Sequence, residues 1–450
     1  MAKNSSLHAA KDAKNDEFYT ELTEIQAEIS NYVDKFKDKV VFCNCDDPFE
    51  SNFVKYFLMN FNRLGLKELI ATGYKTSTVG GTEIGEKNTP YALRVTDTSK
   101  YLVGTQKDLD IRGAKYFLET EGDKVMTPLI GNWALDEKGE QIQITVKEHV
   151  LGDDGKAVLD KKGKPKTKSV KRDLYYEAGD FRSDMSIALL KEATIVVTNP
   201  PFSLFREYVA QLIKYNKSFI ILGNNNAITY KEIFSLFKNN QMWLGALSWN
   251  KELFFNVSKE YEDYLRKNKK EGSAYRIING KFKARAAVMW YTNIDIPKRH
   301  QVLPLDLGYT YAGHEDMYPK YDNYDAINVD KVGQIPCDYM GCIGVPISFL
   351  DKYCPEQFEI IALGIVGSCD FTKNVEMYIL DKKGKETNKT TWNAKGTLYR
   401  KHLDTDTKAA AFKDIKTGEL YQSIYARILI KFTDDYINAH PEQFSNGDVE

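Results

Sequence analysis

Long apolar runs are missing from this 450-residue chain: the longest, such as Ser218–Leu222 and Arg285–Trp290, fall far short of the ~18 residues that cross a bilayer. No membrane segment is expected. The opening stretch MAKNSSLHAAKDAKNDEF has no apolar core of the signal-peptide kind, so the sequence predicts a cytoplasmic protein. Cysteine is scarce, six residues without a Cys-x-x-Cys pair, which excludes a secreted disulfide framework and leaves free thiols as the expectation. The six histidines are far apart, none at ligand spacing from a cysteine or another histidine, and no metal is expected. Net charge is also small, −1, so a polyanionic partner would have to meet a locally basic surface. Two stretches qualify. Lys161–Arg172, KKGKPKTKSVKR, holds seven basic residues and no acidic one, and RKNKKEG begins at Arg266. Either taken alone fits a solvated hairpin tip equally well.

The length and the 42% apolar content suit more than one core, since single cores stop growing near roughly 250–300 residues. Apolar residues at three-to-four-residue spacing predict an amphipathic helix over Asp16–Phe36. A strand follows in KVVFCNC, then a helix in SNFVKYFLMNFNRLGL capped by Ser51, then a strand in KELIATGY. Strand–helix–strand units of this kind build parallel nucleotide-binding sheets. From about 77 to 171, turn signals such as DEKGE, GDDGK and DKKGK separate short β-like runs, which predicts a β-rich insertion. Alternation resumes with MSIALLKE, TIVVT, SLFREYVAQLIKY, SFIILG and YKEIFSLFKNN, and ARAAVMWYTNI reads as a further strand. Past about Pro297 the sequence turns aromatic-rich and irregular. The expected division is an N-terminal arm over 1–35, a catalytic domain over 36–296 containing the insertion, and a C-terminal region over 297–450.

Within this pattern ATIVVTNPPFSLFREYV stands out. The tandem prolines Pro200 and Pro201 cannot continue a ladder and disfavour helix before them, so a buried strand must end there. That end is where open α/β sheets bind ligands. The Asn199 side-chain oxygen and the Pro200 carbonyl offer two acceptors to one exocyclic amine, Pro201 fixes the turn, and Phe202 offers a flat ring. A planar amine in adenine, in cytosine or in an amide meets those needs; a plain capped turn is the structural alternative.

Here the sequence resembles a known family. Asn199-Pro200-Pro201-Phe202 is similar to the catalytic motif of S-adenosylmethionine-dependent amino-methyltransferases. Asp16-Glu17-Phe18-Tyr19-Thr20, VVFCNCDDPFESNFVKYF, Gly179-Asp180-Phe181, GVPISFLDKYCPEQFEIIALG and YARILIKF together resemble the EcoRI-type adenine-specific DNA methyltransferases over nearly the whole chain. The resemblance implies an α/β fold: a Rossmann-like class I methyltransferase sheet with helices on both faces, a β-rich insertion and C-terminal target recognition. It implies a reaction in which Asn199 and Pro200 hold the N6 amine and Phe202 stacks on the base. For the cofactor S-adenosyl-L-methionine it implies contacts from Phe18, Tyr19, Thr20, Asp46, Asp47, Pro48, Asp180, Phe181 and Asn199. Asp180 would accept the cofactor's adenine amino group while Phe181 stacks on its ring. Asp47-Pro48 is followed by FESNF where the family usually has glycines, and Asp47 is the expected contact of this group. No acid for the ribose hydroxyls precedes Glu83 after the second strand.

The same resemblance implies double-stranded DNA as substrate, a GAATTC target, a cognate restriction endonuclease as possible partner, and monomeric action. A base inside a duplex must be flipped to reach such a pocket, and stacking offsets part of the cost. Trp290 or Tyr291, on opposite faces of one strand, is the expected second stacking ring. In this context Lys161, Lys162, Lys164, Lys166, Lys168, Lys171 and Arg172, with Lys283 and Arg285, are expected to neutralise phosphates. Other readings of the turn remain: a methyltransferase of cytosine N4, RNA or protein glutamine, and a nucleic-acid-binding module on a methyltransferase fold.

Overall fold

In the computed structural model, residues 19–73, 90–102, 104–120, 124–150, 157–160, 163–249, 251–257, 259–309, 317–424 and 426–444 are described. The chain divides into two compact units, one of residues 1–221 with 254–285 and one of 222–253 with 286–450. The sequence placed its boundary near Pro297. The observed division falls earlier because the chain leaves the first unit inside β-strands, after Ile221 and again after Arg285, where an unbroken ladder gives the sequence no turn signal.

The first unit begins with β1 (Tyr19–Thr20), the helix Leu22–Ile29 and a 3-10 turn over Ser30–Lys35. Then come β2 (Val40–Cys43), the helix Asn52–Met59 and β3 (Glu68–Thr72). This is the strand–helix–strand unit expected from the sequence. Ser51 caps its helix, the hydroxyl accepting from Phe53 N at 3.0 Å. β4 (Tyr91–Val95) and β5 (Val125–Pro128) extend the sheet outward from β3 as antiparallel strands. Part of the expected insertion therefore belongs to the main sheet, on either side of a helix over Ile111–Glu119.

The remainder of the insertion is small and locally paired. β6 (Asn132–Trp133) pairs with β9 (Tyr175–Tyr176), and β7 (Gln143–His149) pairs with β8 (Thr167–Asp173) over all seven residues. The helix Asp184–Glu192 then leads into β10 (Ile195–Thr198) and, through the helix Phe205–Lys214, into β11 (Ser218–Asn224). Within this unit the sheet order is β11, β10, β2, β3, β4, β5. β11, β10, β2 and β3 are mutually parallel, with Ile195 opposite both Ser218 and Val41.

Burial explains the central positions. All four residues of β2 and of β10 are buried, as continuous apolar runs require when both faces of a parallel strand are covered. Each Val, Ile or Phe among them contributes about 1.5–3 kcal/mol relative to exposure. The protein thus has a mixed α/β architecture built on a large mixed sheet.

The second unit takes up the chain at Leu222 and includes the helix Lys231–Lys238, β12 (Trp243–Leu244) and, later, β16 (Val288–Thr292), antiparallel to β12. ARAAVMWYTNI is not one strand. β13 (Leu253–Asn256) pairs with β1, β14 (Tyr275–Ile278) pairs with β15 (Lys281–Ala286), and Ala287 separates β15 from β16. An alanine gives the sequence no sign of such a break. Beyond it, Ile343–Pro346 and Phe358–Leu363 flank Arg427–Phe432 in antiparallel pairing. The lysine-rich stretch after Leu380 lies in a hairpin, Glu376–Leu380 against Glu386–Trp392, and a terminal helix covers Asp434–Ala439. No helix among the described residues is long and apolar enough to cross a membrane.

Candidate active site

The carboxyl ends of β2 and β10 are adjacent, and the Asn199-Pro200-Pro201-Phe202 turn leaves the second of them. β10 ends at Thr198, which is fully buried, and its hydroxyl joins the two strand ends. It accepts from Cys45 N at 3.2 Å and donates to the Asp46 carboxylate. The other Asp46 oxygen accepts from Ser51 Oγ at 2.8 Å, and the Asn199 backbone N–H also donates to this carboxylate. Asp46 is 7% exposed, and burial pushes its carboxyl up to about 7 despite these donors. One step farther on, Asn52 Nδ2 donates to the Thr20 carbonyl at 2.8 Å.

Three sequence motifs widely separated in the chain are thereby linked: Thr20 to Asn52, then Ser51 to Asp46, then Thr198 to Asn199. Thr20 Oγ1 is itself buried with no hydrogen-bond partner among the described residues. Phe18, with Asp16 and Glu17, lies outside the described residues, while Tyr19 pairs with Asn256 across β13.

Asp47 uses one carboxylate oxygen to cap the following turn, accepting from Phe49 N at 2.9 Å and Glu50 N at 3.0 Å. Burial raises its carboxyl above the ordinary value, and Pro48 starts the turn it caps. Gly73, which follows β3, packs closely on the Asp47 backbone. A Cβ there would sit 3.2 Å from the Asp47 Cα, tighter than about nine in ten real contacts.

Gly179, at φ 79°, turns the chain into Asp180, which is 8% exposed. Arg182 grips Asp180 bidentately, Nε at 3.0 Å and Nη2 at 2.8 Å, and its third arm reaches Glu207 at 2.9 Å. Phe181 is 4% exposed and meets Tyr208 edge-on at 5.0 Å, while the Tyr208 hydroxyl donates to Asn44 Oδ1. The Gly-Asp-Phe motif thus also adjoins the end of β2.

Sequence reasoning missed Thr198, Asn44, Tyr208 and Arg182. Thr198 carried a faint signal, as the polar last residue of an otherwise apolar strand. Tyr208 carried none, since its spacing is that of any core residue on an amphipathic helix.

The turn itself has Pro200 buried, Pro201 half-buried at φ −62° and ψ 119°, and Phe202 8% exposed at the head of a 3-10 turn over Phe202–Leu204. In the second unit Trp290 and Tyr291 are both buried, and Tyr291 Oη donates to the Asn224 carbonyl at 2.8 Å. Among the basic candidates, Lys283 is engaged with Glu21 and with Asn256 Oδ1 at 2.7 Å, fastening β15 to the residue that follows β1. The Arg285 guanidinium reaches the Ser273 carbonyl at 3.4 Å, and Arg172 is paired with Glu148. Lys164, Lys166, Lys168 and Lys171 are exposed, and Lys161 and Lys162 lie outside the described residues.

Comparison with known proteins gives the same direction. The family described as adenine-specific methyltransferase EcoRI matches residues 6–433. Type II methyltransferase M.EcoRI of Escherichia coli is 40% identical over 384 residues, 85% of this chain and 94% of that protein. Type II methyltransferase M.MgeORF184P of Mycoplasma genitalium is 34% identical over 79% of this chain and 85% of its own length. Type II methyltransferase M.MpnI of Mycoplasma pneumoniae is 33% identical over 79% of this chain and 84% of its own. No solved structure matches significantly. With the Asn-Pro-Pro-Phe turn at the end of a central parallel strand, and a family match running nearly end to end, the chain belongs to the EcoRI family of adenine-specific methyltransferases and is a sequence-specific DNA adenine methyltransferase.

Proposed function

We propose that the chain transfers a methyl group from S-adenosyl-L-methionine to N6 of an adenine flipped out of duplex DNA, as the modification half of a restriction–modification pair. The observation that carries this reading is the hydrogen-bonded path from Thr20 through Asn52, Ser51, Asp46 and Thr198 to Asn199. The parallel order β11, β10, β2, β3, with helices between the strands, supports a Rossmann-like sheet with the site at its carboxyl edge.

The residues fit the cofactor on two counts. Thr20 Oγ1 is a buried hydroxyl without a partner among the described residues, and Asp46, Asp47 and Asp180 form an acceptor set suited to ammonium and hydroxyl groups. Asp180 accepts three bonds, all from Arg182, and a carboxylate has about four acceptor sites, leaving one for an amino group. When bound, the cofactor supplies an electrophilic sulfonium methyl group. Asn199 Oδ1 and the Pro200 carbonyl accept the two N6 hydrogens of the base, which favours a pyramidal amine with its lone pair free to attack. No general base is needed before transfer, because the nitrogen attacks in neutral form. The Phe202 ring, 8% exposed, has to turn out of its packing to stack on a base, which couples base entry to rearrangement of the turn. Exposed Lys164, Lys166, Lys168 and Lys171 neutralise phosphates, and a cognate endonuclease protects the cell from unmodified DNA.

Unmethylated duplex DNA incubated with the protein and S-adenosylmethionine, then digested to nucleosides for mass spectrometry, tests this. N6-methyladenine is expected with the intact chain and not with Asn199→Ala. Methylated cytosine, or no methylated base, would refute it.

A further inference from the structure

The hairpin of β7 and β8 forms a separate two-stranded sheet, and none of its residues is fully buried. Isolated two-stranded ribbons are marginally stable in water, so one standing clear of the core invites a partner. Its two faces differ. The strict register sets Gln143 opposite Asp173, Thr145 opposite Lys171, Lys147 opposite Ser169 and His149 opposite Thr167 on one face. All eight side chains there are exposed, and every one carries a hydrogen-bonding group. The other face carries Ile144, Val146 and Val170 with the Arg172–Glu148 ion pair, and exposed Lys168 opposite Glu148 at its end. Val146, Glu148 and Val170 there are half-buried, whereas no side chain of the first face is.

We propose, building on the DNA methyltransferase reading above, that the polar face of this ribbon lies in the DNA major groove and reads base edges there, Thr145 and Ser169 making the sequence-dependent contacts and Lys147 and Lys171 the phosphate contacts. A two-stranded ribbon matches the roughly 12 Å width of that groove. The six steps between the first and seventh residues, about 3.3 Å each, span roughly 20 Å, the length of about six base pairs. Charge agrees: Lys147 and Lys171 have no ion-pair partner among the described residues, while the one carboxylate of the face, Asp173, is held by Gln143 Nε2 at 3.0 Å.

The kind of polar group distinguishes base reading from a phosphate clamp. Phosphate only accepts hydrogen bonds, and lysines alone would serve it. The middle of this face instead presents hydroxyls, which both donate and accept, as a groove floor of mixed donors and acceptors requires. A protein partner is a poorer match, because protein interfaces are anchored by buried aromatic and apolar side chains and this face has none.

The test uses the full chain in three forms, Thr145→Val/Ser169→Val, Lys147→Ala/Lys171→Ala, and Ile144→Thr as a control on the opposite face. Long-read sequencing that detects N6-methyladenine measures the preference of each for the wild-type target over targets with one base changed. The Thr145/Ser169 variant is expected to lose about 2- to 13-fold of that preference at each base it contacts, the worth of one neutral hydrogen bond, with circular dichroism unchanged. Ile144→Thr should retain it. In duplex binding followed by fluorescence anisotropy, Lys147→Ala/Lys171→Ala should weaken all sequences alike and lower the salt slope by about 2. Unchanged site preference in the Thr145/Ser169 variant overturns base reading even if the lysine variant weakens binding. Unchanged salt dependence in the lysine variant overturns the DNA contact and turns the ribbon toward an RNA or protein partner. A wild-type protein that methylates no DNA refutes the parent reading separately, and the anisotropy arm still decides the DNA contact.

Discussion

Replacing Thr198 by valine keeps the volume and shape of a fully buried side chain while deleting one hydroxyl, so no cavity term obscures the result. That hydroxyl donates to the Asp46 carboxylate and accepts from Cys45 N at 3.2 Å. A hydrogen bond to a charged group contributes about 1.5–3 kcal/mol, and a buried N–H left without its acceptor costs about 1–3 kcal/mol more. The two overlap in part, so the substitution should lower stability by about 2–5 kcal/mol, a large fraction of the roughly 5–15 kcal/mol typical of a folded protein. Urea denaturation is the assay, with the midpoint shifted down and the slope unchanged. Thr198→Ser keeps both hydrogen bonds and removes one methyl, a change of about 1 kcal/mol. Because Asn199 follows directly, the valine variant should also lose most of its methyl transfer while the serine variant keeps it. A valine variant within 0.5 kcal/mol of wild type would refute the claim that this hydroxyl joins the two strand ends.

Asp46 binds its proton more tightly folded than unfolded, with its carboxyl raised from 3.8 to about 7 by burial, so stability should fall as pH rises from about 4 to about 7, by at most about 4 kcal/mol. Asp46→Asn should flatten that slope in urea unfolding at pH 5 and pH 8, and an unchanged slope would assign it to other groups. His300, between Asp295 at 2.8 Å and Glu356 at 2.7 Å, has its ring raised above the ordinary value by those two carboxylates. Its contribution is complete below about 6.5 and is lost as pH rises through the folded value. Half-exposed as it is, it amounts to under about 1 kcal/mol, and His300→Gln should remove this pH dependence from the melting temperature. Arg400 holds Asp406 bidentately at 2.9 and 2.6 Å and keeps its carboxyl down at about 2. Arg400→Met should cost about 3 kcal/mol at pH 7, and the deficit should shrink as pH falls below about 4, where wild type loses the same pairing.

Much of the first unit was legible in the sequence because its elements are locally determined. Ser51 ahead of an apolar-periodic run gives a capped helix, continuous apolar runs at 40–43 and 195–198 give central parallel strands, and tandem prolines end the second of them at one residue. The Asn199-Pro200-Pro201-Phe202 turn, where the proposed chemistry sits, was legible for the same reason, since four adjacent residues make it. Tertiary structure alone decided what these residues rest on. Thr198 reads as one more strand residue until β2 lies beside β10 and supplies Cys45 and Asp46 as its partners from more than 150 positions away. Lys283 reads as a phosphate contact until β15 brings it to Glu21 and Asn256, and Ala287 reads as mid-strand until its neighbours join different partners. Local sequence fixes backbone preference and side-chain type. Which buried polar groups satisfy one another depends on strand pairing across the whole chain, and no local pattern encodes that.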